Sequence, residues 1–500
     1  RLPYGMPIYY KAHNSGLFLW HYYQSMRLTL LIVFILSLAG CSSGSSSDEI
    51  PEPKITIDGE ISQLFNSSPI VLQDSVSYYS NACNDPSFQF LIPVNINDDN
   101  FIDFIAHFWC DTVIPAEVDI KDVPDILIAY VSDINGTYYV DNLGVFNELY
   151  PKLGGASRKY VRGDINEDGK DDFAFAMNAE DGRAAYDHET HLTNYAYPAV
   201  LLSSGSKYVI HNLGNKDWGH SVQIKNNEVL FGGHTSQSFK YENNDWIDIS
   251  DKYNHLSFAS FLVFDDFIIN STRKENSQGL ELVKNNVIIS SIMNDETFKV
   301  NFENWNNAGK GIYQKLGVYK IRGEYYFDGI ISEMCKKDQL IVAAISASKP
   351  INRDIVENEF YSEAETSPVF IFTFFEIINN ELHEKDIKIN GEEINHNFNF
   401  FDCFDVNNDE KKDLVAQVFS QTWNTQTLNN KGVPEIYINS PNGYYNLDTS
   451  TWPNFSLEDD SQGYLYDVDH NGTHDLILFP LKVNDSANIE IYLSNRNIID

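Results

Sequence analysis

The sequence is short of cysteine, of basic side chains and of long apolar runs, and each shortage excludes something. Five cysteines in 500 residues are too few for a disulfide-built scaffold of this size. Lys and Arg number 35 against 71 Asp and Glu, a formal net charge of −36. The chain therefore lacks the basic footprint that a nucleic-acid binder lays on phosphates. The most apolar stretch, residues 28–38, is too short to cross a bilayer, which takes about 20 apolar residues. No G-x-S-x-G nucleophile elbow and no phosphate loop occur. What is present is an apolar share of 43%, enough for a real core, and an aromatic share of 14%, mostly Tyr and Phe, which leans toward β structure.

The front of the chain reads as an address. Met26-Arg27 precedes the apolar run, and Ala39-Gly40-Cys41 closes it. A basic start, a short apolar stretch and small residues before a cysteine predict a signal peptide over 26–40. The ending at Cys41 resembles the lipobox of bacterial lipoproteins. That resemblance implies lipidation of Cys41 and, with Ser42 next, an outer-membrane address, periplasmic or surface-exposed. The other reading is an ordinary secretory signal with a chance cysteine. Residues 1–25 do not fit a signal sequence and read as translated upstream segment. Residues 41–54, rich in Ser, Pro and acidic side chains, read as a flexible tether.

The body, 55–500, reads as a repeat. One nine-residue loop recurs: Asp164-Ile-Asn166-Glu-Asp168-Gly169-Lys170-Asp-Asp172, then Asp405-Val-Asn407-Asn-Asp409-Glu410-Lys411-Lys-Asp413, then Asp467-Val-Asp469-His-Asn471-Gly472-Thr473-His-Asp475. A weaker copy runs Asn95-Ile-Asn97-Asp-Asp99-Asn100-Phe101-Ile-Asp103. An apolar strand follows each loop. A second strand-like run, led by Pro124, Pro198 or Pro434 or starting at Ile489, comes later, and a turn and a further strand close the earlier units. Four antiparallel strands per unit make a propeller blade. The interval from Asp172 to Asp413 has room for three more units without a clear loop. Candidates are the Asn turns at 226–227 and 285–286, each taken as standing where a loop would be, and the run 334–342, with Pro368 leading a later strand. The expected fold is all-β: a seven-bladed β-propeller of four-stranded antiparallel blades, with calcium-binding loops in some blades.

The loop's chemistry suits a hard cation. Positions 1, 3, 5 and 9 offer side-chain oxygens and position 7 a backbone carbonyl, an oxygen-only set that fits calcium above all. The candidate ligands are Asp164, Asn166, Asp168, Lys170 (through its carbonyl) and Asp172; Asp405, Asn407, Asp409, Lys411 (carbonyl) and Asp413; Asp467, Asp469, Asn471, Thr473 (carbonyl) and Asp475. The fourth loop adds Asn95, Asn97, Asp99 and Asp103 as a weak or non-binding set. Gly at position 6 allows the sharp turn, and Glu410 in that place should strain it. It is not an EF-hand, whose bidentate Glu stands at position 12. The other reading is a set of polar turns without metal.

These loops resemble the FG-GAP repeats of integrin α propellers and the related bacterial VCBS repeats. The resemblance implies about two to three structural calcium ions, set between the first two strands of some blades. It says little about activity, since propellers host binders, scaffolds and enzymes alike.

No residue stands out as catalytic. Asp187-His188-Glu189-Thr190-His191 is the densest polar cluster but is not H-E-x-x-H. His220 and His396 precede corresponding strands and read as repeat-structural. Trp218, Trp305, Trp423 and Trp452 read as blade packing or as a sugar-stacking face. Cys83 and Cys110 flank the first loop and form a plausible disulfide, while pairing of Cys335 with Cys403 is less expected. The sequence thus predicts a lipid-anchored, monomeric binder of a protein or glycan at the cell envelope, without nucleic acid. The alternatives are a propeller enzyme acting on polysaccharide through the 181–197 connection, marked by polar and aromatic side chains converging at one mouth of the central channel, and an outer-membrane assembly scaffold.

Overall fold

The computed structural model describes residues 64–72, 86–110, 125–179, 196–418 and 434–495, apart from short gaps inside these ranges. Several second and third strands are buried nearly end to end: Asp125–Ser132 along its whole length, Ala199–Ser204 and Glu228–Gly232 at all but one position. A sheet covered on one face alternates apolar and polar residues, whereas one covered on both faces does not need to. Continuous burial therefore means that each sheet is sandwiched, and the sheets stack around a ring.

Seven antiparallel sheets do so. Blade 1 is Pro86–Val94, Asp103–Cys110, Asp125–Ser132 and Tyr138–Val140. Blade 2 is Ala156–Gly163, Asp172–Ala179, Ala199–Ser204 and Lys207–Asn212. Blade 3 is Ser221–Lys225, Glu228–Gly232, Gln237–Glu242 and Asp245–Asp248. Blade 4 is Phe261–Phe264, Phe267–Lys274, Ser277–Lys284 and Val287–Asn294. Blade 5 is built on Glu324–Lys337, Leu340–Pro350, Thr366–Ile378 and Glu381–Lys385. Blade 6 is built on Phe398–Phe404, Asp413–Val418, Glu435–Ser440 and Gly443–Asn446. Blade 7 takes Ser461–Tyr466, Asp475–Pro480 and Ile489–Tyr492 from the end of the described chain, and its fourth strand, Ile70–Leu72, from the beginning.

Apolar side chains fill every gap between neighbouring blades. Phe90, Phe173 and Leu201 lie between blades 1 and 2, Val415 and Leu476 between 6 and 7, and Phe104 and Ile477 between 7 and 1. Seven such interfaces close the ring. Except in blade 5, where an insertion pairs with it, the first strand is an edge strand of its sheet, and the first strands of consecutive blades 2 to 6 touch one another. The first strands therefore line the central channel, and the loops joining first to second strands ring one of its ends.

The architecture departs from seven equal blades in three places. A hairpin insertion, Lys299–Trp305 and Gly311–Ile321, widens blade 5, with Phe360–Ser362 pairing parallel on its outer side. Ile389–Asn390 adds a short parallel strand to blade 6. The Asn turn at 285–286 joins the third and fourth strands of blade 4, not the first and second; that place is held by Asp265 and Asp266. The turns at 226–227 and after Lys337 do join first to second strands.

A disulfide joins Cys335 to Cys403, with Cα atoms 5.9 Å apart, the pairing the sequence made the less expected of two. Both sit on first strands, of blades 5 and 6, and equivalent positions on neighbouring first strands face each other across the interface. Cys110 stands opposite Pro86 in blade 1, and Cys83 lies outside the described residues.

Candidate functional site

The three stronger acidic loops share one hydrogen-bond plan. The position-1 carboxylate accepts the amides of positions 5 and 6: Asp164 from Asp168 and Gly169 at 3.0 and 2.9 Å, Asp405 from Asp409 and Glu410 at 3.1 and 2.7 Å, Asp467 from Asn471 and Gly472 at 3.0 and 3.0 Å. Position 3 (Asn166, Asn407, Asp469) accepts the position-5 amide, and position 5 (Asp168, Asp409, Asn471) accepts the position-7 amide. These bonds curl the loop so that its side-chain oxygens crowd together. Positions 4 and 6 both take positive φ, at 60° and 84° for Glu167 and Gly169, 58° and 66° for Asn408 and Glu410, and 55° and 84° for His470 and Gly472. Glu410 therefore carries a strain that Gly169 and Gly472 avoid, as its sequence position implies.

Position 9 is a strut. Asp103, Asp172, Asp413 and Asp475 are fully buried, and each uses both oxygens on backbone amides. One oxygen takes the position-2 amide, from Ile96, Ile165, Val406 or Val468, at 2.7 to 3.0 Å. The other takes an amide at the end of the third strand, from Ser132, Ser203, Asn439 or Ser494, at 2.6 to 2.8 Å. Ser132, Ser203, Asn439 and Ser494 were not singled out from sequence. Neither were Tyr138 and Tyr208, whose hydroxyls donate to the position-8 carbonyls of Ile102 and Asp171 at 2.7 and 3.0 Å. A signal exists in the chain: Ser132, Ser203 and Asn439 each pair across a turn with a tyrosine, at 138, 208 and 444.

The four loops differ in how they gather charge. Asp467, Asp469 and Asp475 present oxygens within 4.8 Å of one another, the one group of three metal-capable charged side chains among the described residues. Burial, with the neighbouring Asp469 and Asp467 carboxylates adding to it, pushes Asp475 up to about 7, and burial also raises Asp469. Crowded carboxylates whose protons are held this firmly fit a hard, oxygen-seeking cation, which would stabilise the charged forms together. In the loop at 164–172 the Ser203 hydroxyl donates to Asp168, 3.1 Å from either oxygen. In the loop at 95–103 Ser132 does the same to Asp99 and Asp103, and the Asn97 amide donates to Asp99. Burial raises Asp103 and Asp172 and takes Asp413 to about 6. Asp409 is lowered: burial works against its charge, but the Lys411 amide and ammonium, the latter at 3.1 Å, outweigh it. Asn95 and Asn407 lie in their loops as the spacing placed them.

The end of the channel ringed by these loops carries a second cluster. Arg162 and Tyr160 come from the first strand of blade 2, and Tyr464 and Tyr466 from that of blade 7. Arg162 Nη1 donates to Tyr466 Oη at 2.6 Å and lies 3.5 Å from Asp171. Residues 181–195 of the 181–197 connection, with Asp187-His188-Glu189-Thr190-His191, lie outside the described residues, as do Cys41, His396 and Trp423. Trp218 and Trp452 are buried and read as packing; Trp218 stacks on His220, whose backbone amide bonds Gly232.

No protein-family model matches the chain, and no curated protein matches it in sequence. Among solved structures it is similar to the exotype rhamnogalacturonan lyase YesX, with 10% identity, a TM-score of 0.36, and coverage of 82% of this chain and 72% of that one. It is similar to the Bacillus licheniformis rhamnogalacturonan lyase PL11, with 11% identity, a TM-score of 0.37, and 87% and 76% covered. The N-terminal domain of Nup159 matches at 9% identity, a TM-score of 0.30, and 84% and 97% covered. At these values the matches assign no role to any residue. The chain is a seven-bladed β-propeller.

Proposed function

We propose that the mature protein is a calcium-stabilised propeller of the FG-GAP type. It is held at the bacterial outer membrane by lipid on Cys41 and binds a protein or glycan of the cell envelope as a monomer. The observation that carries the metal reading is the convergence of Asp467, Asp469 and Asp475. The ion is structural: it holds carboxylates that otherwise repel each other in a loop joining two strands of one blade. The test is metal analysis of the purified body, residues 55–500, beside Asp168→Ala and Asp469→Ala. About two to three calcium ions per chain are expected, with roughly one lost per variant. A metal-free parent protein would reduce the loops to plain turns and end this reading.

A second reading, an enzyme acting on an envelope polysaccharide, is favoured by the phenols and guanidinium gathered at the channel mouth. Incubation with acidic and neutral glycans, followed by a search for new chain ends, decides it. Intact polymers after long incubation would leave the mouth a binding site only.

A further inference from the structure

The first strands of blades 7 and 2 bring four hydrogen-bonding side chains together across a blade. Blade 1 stands between them in the ring, yet Arg162 bonds Tyr466, with its guanidinium 5.4 Å from that ring's centroid. Tyr160 and Tyr464 lie close enough to feel Arg162 and one another. The group therefore meets in the channel, in front of the inner strand Pro86–Val94. Across the channel, the exposed Asp402 stands on the first strand of blade 6.

Hydrogen-bond capacity at this mouth is unbalanced. The Tyr466 oxygen accepts from Arg162, so its own O–H proton turns elsewhere. Tyr464 is 6% exposed, and its hydroxyl is buried with no hydrogen-bond partner. A buried hydroxyl of that kind is uncommon in a folded protein and calls for an explanation. Burial holds the phenols protonated, Tyr160 pushed up to about 12 and Tyr464 raised as well, so they serve as donors at neutral pH. The Arg162 side chain is 40% exposed and keeps further N–H donors. Its carboxylate neighbour Asp171, 3.5 Å away and 42% exposed, forms an ion pair of the solvent-facing kind that contributes little. The unpartnered Tyr464 hydroxyl and the exposed N–H groups of Arg162 are donors that a ligand's oxygens can meet.

We propose that this mouth is a subsite for a carboxylate-bearing sugar, a uronate residue of an acidic glycan. The guanidinium takes the carboxylate, whose planar pair of oxygens its fork matches. The Tyr464 and Tyr466 hydroxyls donate to carboxylate or ring oxygens, and Asp402 accepts from a sugar hydroxyl. Hydroxyl donors beside the carboxylate acceptors Asp171 and Asp402 suit a polyhydroxylated ring better than an acidic peptide. The inference rests on the envelope-ligand reading above and narrows it to one chemical class.

The test is calorimetric titration of the calcium-loaded mature protein with digalacturonate, the neutral disaccharide cellobiose and a short acidic peptide. Digalacturonate binds, and cellobiose binds at least about tenfold more weakly, the usual cost of one lost charge-assisted contact. Arg162→Ala loses about tenfold or more, and Tyr464→Phe, which keeps the ring, loses about threefold to tenfold. Both variants keep the parent's thermal midpoint and calcium content, so a loss of binding is not a loss of fold. Equal binding of cellobiose, unchanged affinity in both variants, or no binding of digalacturonate overturns the subsite. Tighter binding of the peptide than of digalacturonate overturns the glycan assignment. Neutral-glycan binding indifferent to Arg162→Ala sinks the subsite while the envelope-binder reading stands, and calcium content tests the metal reading separately.

Discussion

Two aspartates in one loop do different work. Asp172 is buried and holds the amides of Ile165, Asn166 and Ser203, while Asp168 faces the loop's opening. A buried amide left without an acceptor costs about 1–3 kcal/mol. Asp172→Ala should therefore lose on the order of 3 kcal/mol or more, whether or not calcium is present. Asp168→Ala should lose less than about 1 kcal/mol in chelator and show its larger cost only when calcium is supplied. Urea unfolding of both variants with and without calcium checks this; equal losses in chelator would mean that position 9 is no strut. Protons compete for the same carboxylates. Asp475 stands at about 7 in the folded chain against an ordinary 3.8, so the folded state binds its proton more tightly. The stability this contributes is fully present below pH 3.8 and is lost as pH rises through about 7. In chelator the thermal midpoint should carry a downward contribution across that window, which calcium removes by pairing with the charged form. A Asp475→Asn variant should flatten the chelator profile over the same range, and an unaltered profile would refute the assignment.

At the scale of elements, propeller turns come in two kinds that look alike in sequence. Asn226 at a first-to-second turn and Asn285 and Asn286 at a third-to-fourth turn all take positive φ, so an Asn pair marks a turn without saying which. The blade count was legible because the acidic loops keep register with the repeat, and each of the three loopless units supplied one recognisable hairpin. The insertion at 299–321 carries no repeat signal and could not be read. The strut partners were hard to see because their bond to position 9 runs through a backbone amide, which any residue type can supply; only the tyrosine across the turn marks the place. At the metal loops the residue types were legible, whereas the gathering of three carboxylates in blade 7 alone depends on what the third strand places against each loop, Ser203 in one case and Ser132 in another. The disulfide was misjudged because its partners become neighbours only once blades 5 and 6 stand side by side. It closes a segment whose ends are 68 residues apart, for which chain entropy suggests a stabilisation of roughly 4 kcal/mol. Reducing agent, or the paired change Cys335→Ala with Cys403→Ala, should lower the denaturant midpoint accordingly. No shift on reduction would show that the bond adds nothing to the ring.

At the scale of the molecule, the ring closes where the first and last described strands pair, and the acidic loop of blade 7 is wired to that seam. Asp475 accepts the Ser494 amide at 2.7 Å. Ser494 bridges Phe65, the Asn66 amide donates to the Leu493 carbonyl at 2.9 Å, and the Asn495 amide donates to Leu64 at 2.8 Å. Phe65 thus stands opposite Ser494 as Tyr138 stands opposite Ser132 in blade 1, so the N-terminal segment completes the seventh copy of the repeat. The same loop touches its neighbours on both sides: Asn408 Nδ2 donates to the Gly472 carbonyl at 2.7 Å, and the Ile102 amide to the Val468 carbonyl at 2.7 Å. The six blades built from one stretch of chain can reseal after a local opening, but the three-residue strand Ile70–Leu72 is held to blade 7 by pairing and packing without a direct chain link, so it is the place where the ring opens first. On the proposed calcium reading, a metal in the 467–475 loop would fix Asp475 and through it Ser494, and so slow that opening. Hydrogen exchange resolved to peptides should show faster exchange over 64–72 when calcium is chelated, and again in Asp469→Ala with calcium present. Asp168→Ala, in blade 2 and away from the seam, should leave 64–72 at the parent rate while its own loop exchanges faster. Equal acceleration of 64–72 by both variants would mean that calcium tightens the ring as a whole, and the seam would have no metal latch of its own.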